Sequence, residues 1–263
     1  MNENMSVTLG NLTGKVALIT GASSGIGAAT AVLFSKLGAR LAIHGRNETN
    51  LQKTAAECAG TEKPFLCIGD LSKEDDTKRI FEETVKHFGG LNILVNNAGV
   101  IETGSIENTS LEQYDRVMNV NVRSIYQLTM LAVPYLERTK GNIVNVSSVN
   151  GLRSFAGVLA YNVSKSAVDQ LTRCTALELA PKKVRVNSVN PGVTITELQK
   201  RGGMSEENYE KFLARCKETH ALGRPGEAIE VAEAIAFLAS DSSSFITGAQ
   251  LPVDGGRHAL CPR

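Results

Sequence analysis

Residues 16–27 read Val16-Ala17-Leu18-Ile19-Thr20-Gly21-Ala22-Ser23-Ser24-Gly25-Ile26-Gly27, an apolar run that passes directly into a glycine-rich turn. The apolar run predicts a strand that is buried on both faces. The glycines allow a sharp turn and a close approach of the backbone to a ligand, and helical periodicity begins at Gly25. Because a helix N-terminus presents unpaired N–H groups, this strand, turn and helix are suited to hold a phosphate group. The stretch predicts an α/β fold that binds a dinucleotide.

The rest of the chain repeats the alternation of short apolar runs and longer helical patterns. Helical periodicity is clearest over 25–37, 111–137 and 159–179. This rhythm is typical of parallel strands joined by crossover helices. It predicts one domain over 1–263, with a doubly wound, Rossmann-type parallel sheet of about seven strands and helices on both faces. After the first strand, the predicted strands are 40–44, 65–68, 93–96, 143–147, 184–189 and 250–253.

One long segment, 193–226, departs from that rhythm. It carries Gly202-Gly203 near its middle and a short helical pattern over 206–216. The segment follows the carboxyl end of a predicted strand, which is where open α/β sheets bind their ligands. We therefore expect 193–226 to form a lid over a substrate pocket.

The charge balance excludes several classes of partner. The chain has 28 basic and 27 acidic residues, for a formal net charge of +1, so no field of one sign favours nucleic acid or an anionic membrane. No apolar run reaches the roughly 18 residues of a membrane span, and the N-terminal residues do not resemble a signal peptide. The expected partner is a small molecule, and the expected location is the cytoplasm.

The cysteines and histidines show no metal-ligand spacing. Five cysteines are scattered along the chain without a CxxC pair, and four histidines are equally dispersed. This pattern predicts reduced thiols in the cytoplasm and no metal site. The cysteines are at positions 58, 67, 174, 216 and 261.

Two residues of the helix over 159–179 form a candidate proton-transfer pair. Tyr161 and Lys165 are four residues apart and so share one helix face, and Ser148 lies thirteen residues before Tyr161. A phenol with a pKa near 10 must lose about 2–3 units to exchange protons readily at neutral pH. A cation about 4 Å away contributes around 4 kcal/mol at an effective dielectric constant of about 20. We therefore expect Lys165 to lower the pKa of Tyr161. The neighbouring Ser147 is a rival to Ser148 for contact with the substrate.

The glycine turn and the serine, tyrosine and lysine, in this order and spacing, resemble the short-chain dehydrogenase/reductase family over about 14–256. The resemblance implies hydride transfer between a nicotinamide nucleotide and a carbonyl or secondary alcohol. It implies that Tyr161 is the acid/base and that Lys165 assists it. Ser148, whose spacing to Tyr161 matches the family, would polarise the carbonyl. Asn121 would hold a water that links the lysine to solvent.

The resemblance also implies cofactor contacts at successive strand ends. Asp70 would accept a hydrogen bond from the adenine amino group, although a helix cap is an equally good interpretation. Thr196 would hold the nicotinamide carboxamide, with Thr194 as an alternative. The full set of implied cofactor contacts is Gly21, Ser23, Ser24, Gly25, Ile26, Gly27, Arg46, Asp70, Leu71, Asn97, Ala98, Gly99, Tyr161, Lys165, Pro191, Gly192, Val193 and Thr196.

The residues that follow the second strand indicate which nucleotide is bound. An acidic residue there would bind a ribose 2′-hydroxyl, but the chain has Arg46, whose guanidinium suits a 2′-phosphate. This favours NADP(H), with NAD(H) as the alternative if Arg46 is only a solvated charge. Ser24 stands where many NADP-preferring relatives carry a second basic residue, which weakens the case.

The substrate is the least determined feature. The chain is similar to 3-oxoacyl-acyl carrier protein reductases and to tropinone-like ketone reductases, which leaves the carbonyl compound open. The alternatives are an NAD-dependent alcohol dehydrogenase of the same family and a non-catalytic nucleotide-sensing or scaffold relative. The resemblance implies a homotetramer or homodimer built on 111–137, 159–179 and the segment near 253–256. A mainly apolar pocket with one anion anchor is expected from Val149, Asn150, Leu152, Arg153, Phe155, Leu198, Met204, Tyr209 and Phe212.

Overall fold

Seven parallel strands form one sheet in the computed structural model, which describes residues 10–60 and 62–261. Their order across the sheet is β3-β2-β1-β4-β5-β6-β7. This arrangement confirms the predicted doubly wound, Rossmann-type fold. The strands are β1 (Val16–Ile19), β2 (Arg40–Gly45), β3 (Phe65–Ile68), β4 (Ile93–Asn96), β5 (Asn142–Val146), β6 (Arg185–Pro191) and β7 (Gln250–Val253).

Helices cover both faces of this sheet. Alternate residues of β1 belong to different cores: Ala17 and Ile19 pack on one face, and Val16 and Leu18 on the other. Such alternation follows from the two-residue period of a strand. The helices are α1 (Gly25–Lys36), α2 (Glu48–Glu57), α3 (Glu74–Phe88), α4 (Leu111–Met118), α5 (Ser124–Thr139), α6 (Val149–Leu152), α7 (Leu159–Leu179), α8 (Leu198–Arg201), α9 (Glu206–Ala214), α10 (Cys216–Thr219) and α11 (Ala228–Ala239).

Two predicted helices are interrupted. The helix expected over 111–137 is divided into α4 and α5 by a π-helical turn at Asn119–Arg123. The apolar pattern continues through this turn, so periodicity alone did not reveal it. The helix expected over 206–216 ends at Ala214, and α10 begins two residues later. The remaining differences in strand and helix bounds are one or two residues, which is the usual uncertainty of an element end.

The strand order reverses between β1 and β4, whose residues Ala17 and Ile93 are paired. Crossover helices leave these two strands toward opposite sides, which opens a crevice at their carboxyl ends. Because all strands are parallel, the residues that follow β1, β4, β5 and β6 meet at the same edge. In the part of the chain that the structure describes, no helix combines the length and apolar character needed to cross a bilayer.

Candidate active site

A cavity of about 1420 Å³ opens at this carboxyl edge. It brings together most of the residues that the sequence singled out, including Ser148, Tyr161 and Lys165. Of the predicted cofactor contacts, every residue except Gly27 lines it, and among the catalytic candidates only Asn121 does not. The strand ends therefore converge on one site, as their order in the sheet requires.

The glycine turn lies against the end of β4 at very short range. Gly21 has a φ of +67°, and a Cβ atom on it would lie 2.8 Å from the Ala98 Cα. Gly25 has a φ of +56°, and its Cβ would lie 2.9 Å from the Thr196 side chain. Larger residues at these positions would collide with Ala98 or Thr196 and displace the turn at the start of α1. The backbone here is open to a dinucleotide, which is the fit that phosphate binding at a helix N-terminus needs.

Gly27 has a packing role in the structure, in contrast to the predicted cofactor contact. A Cβ atom on Gly27 would collide with the Gly21 carbonyl oxygen and with Asn97 Nδ2. Asn97 Nδ2 donates to the carbonyl oxygens of Thr20, at 2.8 Å, and Gly21, at 3.2 Å. Gly27 therefore allows α1 to approach the turn, and Asn97 fixes the turn to β4.

His44 supports the same turn and was not singled out from the sequence. Its Nδ1 accepts a hydrogen bond from the Gly21 N–H at 3.3 Å, and its Nε2 lies 3.1 Å from the Gly69 carbonyl oxygen. Burial lowers the pKa of His44, so the ring is neutral at pH 7 and can accept at one nitrogen while donating at the other. A histidine at the end of an apolar strand, where the ligand-binding edge of the sheet begins, was the available signal.

Asp70 and Arg46 both line the cavity beyond β2 and β3. The Asp70 carboxylate accepts from the Ser72 N–H at 3.0 Å, whereas the N-cap of α3 is Lys73. Asp70 therefore shapes the loop before α3 without capping that helix. Burial raises the pKa of Asp70, but the hydrogen bonds from Ser72 and the charge of Arg46 outweigh it, and the net shift is downward.

Ser148, Tyr161 and Lys165 come together at the other side of the crevice. Ser148 follows β5 and caps α6, where its Oγ accepts from the Asn150 N–H at 3.1 Å. Tyr161 and Lys165 lie one turn apart on α7, and the Lys165 Nζ is 5.6 Å from the centroid of the Tyr161 ring. Lys165 Nζ donates to the Val146 carbonyl oxygen at 2.8 Å, which ties α7 to the end of β5.

The geometry distinguishes Ser148 from its neighbour Ser147. Ser147 Oγ donates to the Lys165 carbonyl oxygen at 3.2 Å and is buried beneath α7. Ser148 Oγ instead hydrogen-bonds to Asn150 and lines the cavity together with Tyr161, whose pKa it lowers. Ser148 is therefore the hydroxyl placed beside the candidate acid.

The expected acidification of Tyr161 by Lys165 is wrong for this structure. Tyr161 is only 7% exposed, and burial raises its pKa to about 12, against the smaller opposing effect of Ser148. Burial also lowers the pKa of Lys165 to about 8, and the nearby Asp169 carboxylate opposes that shift. In both groups desolvation disfavours the charged form. At pH 7 Tyr161 is a protonated phenol.

Asn121 lies in the π-helical turn and is fully buried. Its Nδ2 donates to the Val100 carbonyl oxygen and to Ser164 Oγ, and its Oδ1 accepts from the Val100 N–H. The side chain thus binds the strand-end loop to α7 and does not reach the cavity. A Cβ atom on Gly99 would lie 3.4 Å from Asn121 Oδ1 and 3.6 Å from Lys165 Nζ, so both groups flank Gly99.

The segment 193–226 contributes α8 and α9 to the cavity wall. Leu198, Met204 and Phe212 line the cavity as predicted, but Tyr209 does not. Tyr209 is buried beneath the segment, where its hydroxyl donates to the Thr196 carbonyl oxygen at 2.9 Å and accepts from the Thr196 N–H at 3.2 Å. Leu152, predicted for the same pocket, also lies away from it.

Three arginines of this wall were not predicted from the sequence. Arg201, Arg215 and Arg257 line the cavity. Arg201, on α8, donates to Ser24 Oγ at 2.8 Å across 177 residues of sequence. Only the fold brings these charges to the site, and no local motif identified them.

A dinucleotide-sized cavity with a glycine cradle at one end and a buried tyrosine and lysine at the other defines a nucleotide-dependent oxidoreductase. Comparison with known proteins agrees. A family model described as enoyl-(acyl carrier protein) reductase matches residues 21–258. The chain belongs to the short-chain dehydrogenase/reductase family, as the sequence motifs indicated, and it is an NAD(P)-dependent oxidoreductase.

Three relatives illustrate the range of this similarity. A 3-oxoacyl-[acyl-carrier-protein] reductase of Thermotoga maritima is 39% identical over 249 residues, covering 93% of this chain and 98% of that protein. A glucose 1-dehydrogenase of Gluconobacter oxydans is 40% identical, covering 92% and 91%. The crystal structure of a 3-ketoacyl-(acyl-carrier-protein) reductase from Brucella melitensis complexed with NADH has a TM-score of 0.85 and 37% identity, covering 94% and 99%.

Proposed function

We propose that this protein is an NADP(H)-dependent carbonyl reductase acting on a ketone or 3-oxoacyl compound. The observation that carries the proposal is the convergence of the buried Tyr161 phenol, Ser148 and Lys165 in the same cavity as the glycine turn. The bound nicotinamide nucleotide supplies the hydride. The chain must then supply a proton to the carbonyl oxygen, and a phenol with a pKa of about 12 holds that proton at neutral pH.

Each side chain at this end has a separate task. Ser148 Oγ donates a hydrogen bond to the substrate carbonyl oxygen and orients it. Tyr161 donates the proton to that oxygen, and Lys165, held by the Val146 carbonyl, provides the positive charge that stabilises the phenolate left behind. Asn121 acts as a positioning residue, because its amide fixes the loop at Val100 against α7. Alcohol oxidation is the reverse and requires the phenolate, which favours alkaline pH.

The nucleotide would be held by the glycine turn, which His44 supports, and by the ends of β4 and β6. We infer a preference for NADP(H) from two guanidinium groups. Arg46 follows β2 on the cavity wall, and Arg201 reaches Ser24, the position where the sequence lacked a second basic residue. Two cations near one end of the site favour a 2′-phosphate over a 2′-hydroxyl.

We also propose that residues 1–263 form one catalytic domain, with 193–226 as its lid, and that the protein acts in the cytoplasm. Five cysteines without disulfide partners support a reducing compartment. A homotetramer or homodimer is supported by apolar side chains exposed on two helices: Tyr126 and Met130 on α5, and Leu177 on α7. Sedimentation as a monomer at micromolar concentration would contradict the oligomer.

A screen with both nucleotides tests the proposed activity. Purified protein is incubated with NADPH or NADH and a panel of ketones and 3-oxoacyl thioesters, and loss of the reduced-cofactor absorbance is followed. We expect turnover, faster with NADPH. Faster turnover with NADH would favour the NAD-dependent alcohol dehydrogenase, and tight nucleotide binding without turnover of any carbonyl or alcohol would favour the non-catalytic relative.

A further inference from the structure

Arg257, just after β7, presents a guanidinium to the cavity that the protein itself leaves incompletely bonded. Its Nε is buried and has no hydrogen-bond partner among residues 10–60 and 62–261. Its Cζ lies 4.6 Å from the centroid of the Phe155 ring, a cation–π contact that holds the guanidinium in place. Arg257 is half-buried, and leaving its buried Nε–H without a hydrogen bond costs free energy unless a ligand provides the acceptor.

Asp254, whose negative charge raises the pKa of Arg257, and the cavity-lining Glu197 both have other partners. Asp254, three residues before Arg257, accepts from the His258 N–H at 2.7 Å and lies 2.9 Å from His258 Nδ1. Glu197, on the cavity wall, lies 3.8 Å from Lys200 Nζ. Within the described residues, neither carboxylate forms an ion pair with Arg257.

Two further arginines surround the same part of the cavity. Arg215 is close enough to oppose the charge on Arg257, and Arg153 also lines the wall. Arg153 Nη1 donates to the Leu260 carbonyl oxygen at 2.9 Å, which holds the C-terminal turn against the cavity. An anion bound here would relieve the repulsion between the guanidinium groups and supply the missing acceptor.

This cluster lies on the substrate side of the site. The Phe155 carbonyl oxygen accepts from Asn162 Nδ2, and Asn162 Oδ1 accepts from Asn150 Nδ2, both at 2.7 Å. Asn150 in turn donates from its backbone N–H to Ser148 Oγ. A short chain of hydrogen bonds therefore joins the aromatic partner of Arg257 to the hydroxyl that orients the substrate.

The topology separates the cluster from the proposed 2′-phosphate site. Arg46 follows β2 and Arg257 follows β7, and these strands are five positions apart in the sheet order. At about 4.8 Å between neighbouring strands, that separation is about 24 Å. An anion at Arg257 is therefore a different group from a 2′-phosphate at Arg46.

We propose that Arg257 is a specificity-determining residue that binds an anionic group, a carboxylate or a phosphate ester, carried by the substrate. Arginine presents paired N–H donors that match both groups. The identification of the ligand as a carbonyl substrate rests on the proposed function, whereas the anion site itself does not. The single anion anchor expected from the sequence, Arg153, becomes a support for the C-terminal turn.

Matched probes test the site by binding. Acetoacetate, levulinate and 5-oxohexanoate are titrated calorimetrically into protein loaded with NADP⁺, which cannot reduce them, and their primary amides serve as neutral counterparts. Dihydroxyacetone phosphate and dihydroxyacetone distinguish a phosphate from a carboxylate. We expect at least one anion to bind about tenfold or more tightly than its neutral counterpart, which corresponds to about 1.4 kcal/mol.

Arg257→Gln should remove this preference while leaving the binding of the neutral probe unchanged, and Arg257→Lys should retain part of it. Arg173→Gln is the matched control, because Arg173 is an exposed α7 residue that bonds to Gln170. Circular dichroism verifies that each variant folds. If Arg257→Gln does not fold, the ratio of anion to neutral affinity in the wild type and in Arg257→Lys decides.

The outcomes separate this inference from the proposed function. Anion-selective binding that depends on Arg257, in a protein that reduces none of the probes with NADPH, supports the anion site and counts against the reductase. Turnover with equal affinity for anionic and neutral probes, or an equal loss of both in Arg257→Gln, overturns the anion site alone. Failure of every anionic probe to bind also overturns it.

Discussion

The two ends of the substrate cavity are built differently. At the reacting end, Ser148, Tyr161 and Lys165 are buried on a strand end and a long helix, and desolvation shifts the pKa values of the tyrosine and the lysine. At the other end, Arg215 and Arg257 come from the 193–226 segment and the turn after β7 and remain partly or fully exposed. Rigid elements hold the groups that move protons, and connecting segments carry the groups that choose the ligand.

The largest effect should come from removing the acid at the reacting end. Tyr161→Phe eliminates the phenol proton without changing the ring, so we expect carbonyl reduction to fall by about 10²–10⁴-fold. Nucleotide affinity, measured by fluorescence titration, should be nearly unchanged, because the glycine turn is untouched. Tyr126→Phe is the control, since that side chain is 60% exposed on α5. Retained activity in Tyr161→Phe would refute its acid/base role.

The next effect concerns packing under the glycine turn. Gly27→Ala places a Cβ against the Gly21 carbonyl oxygen and Asn97, so either α1 or the turn must shift. Overpacking of this kind destabilises by about 1–3 kcal/mol, measurable as a lower free energy of unfolding in urea. The distorted turn should also bind NADPH more weakly.

Gly90→Ala is the matched control for that substitution, because an added Cβ there meets no atom within 4 Å. It should leave both unfolding and nucleotide binding near the wild-type values. Equal behaviour of the two variants would show that the close approach at Gly27 is relieved without strain.

Substitutions at the nucleotide end should have a smaller effect, which is selective for NADPH over NADH. Arg46→Gln removes an exposed cation from the cavity wall, and we expect about tenfold weaker binding of NADPH with little change for NADH. Arg201→Gln should act in the same direction, since its guanidinium approaches the turn at Ser24. Lys53→Gln is the control, because it removes an exposed charge of α2 that does not line the cavity, and it should leave the binding of both nucleotides unchanged. An equal loss for NADPH and NADH would mean that Arg46 does not read the 2′ position.

The reacting end was predictable from sequence because it depends on spacing within regular elements. The four-residue interval between Tyr161 and Lys165 places them on one face of any α-helix, and a strand end fixes Ser148 nearby. The strands of the sheet were equally accessible, since buried parallel strands leave continuous apolar runs. Here the local pattern and the fold agree.

The arginine contacts at the nucleotide end and at the anion site were not predictable, because they join segments far apart in the chain. Arg201 and Ser24 meet across 177 residues, and Arg257 meets Phe155 only when the turn after β7 folds over the cavity. The π-helical turn at Asn119–Arg123 was hidden for a related reason: one extra residue in a helical turn does not interrupt an apolar pattern. The expectation that Lys165 lowers the pKa of Tyr161 was wrong, because it considered the charge of Lys165 and omitted desolvation of the phenol.

The smallest predicted effect tests the lowered pKa of Lys165. Lys165 has a pKa of about 8, so its ammonium is lost as the pH rises through that value, and reduction that depends on the charge should decline there. Asp169, one turn further along α7, raises the pKa of Lys165, and Asn190 Nδ2 donates to its carboxylate at 3.0 Å. Besides Lys165, the charge of Arg173 acts on Asp169, and Tyr161 stays neutral in this pH range.

Asp169→Asn removes the charge that favours the ammonium, so the alkaline decline in kcat/KM should move to lower pH. We expect a shift of about one unit or less, which is at most about a tenfold change in rate at a fixed pH. Glu178→Gln removes a charge from the exposed end of the same helix and should leave the profile in place. If the pH profile of Asp169→Asn is unchanged or shifts to higher pH, the alkaline decline in kcat/KM is not caused by deprotonation of Lys165. The ammonium would then have no measurable part in proton transfer.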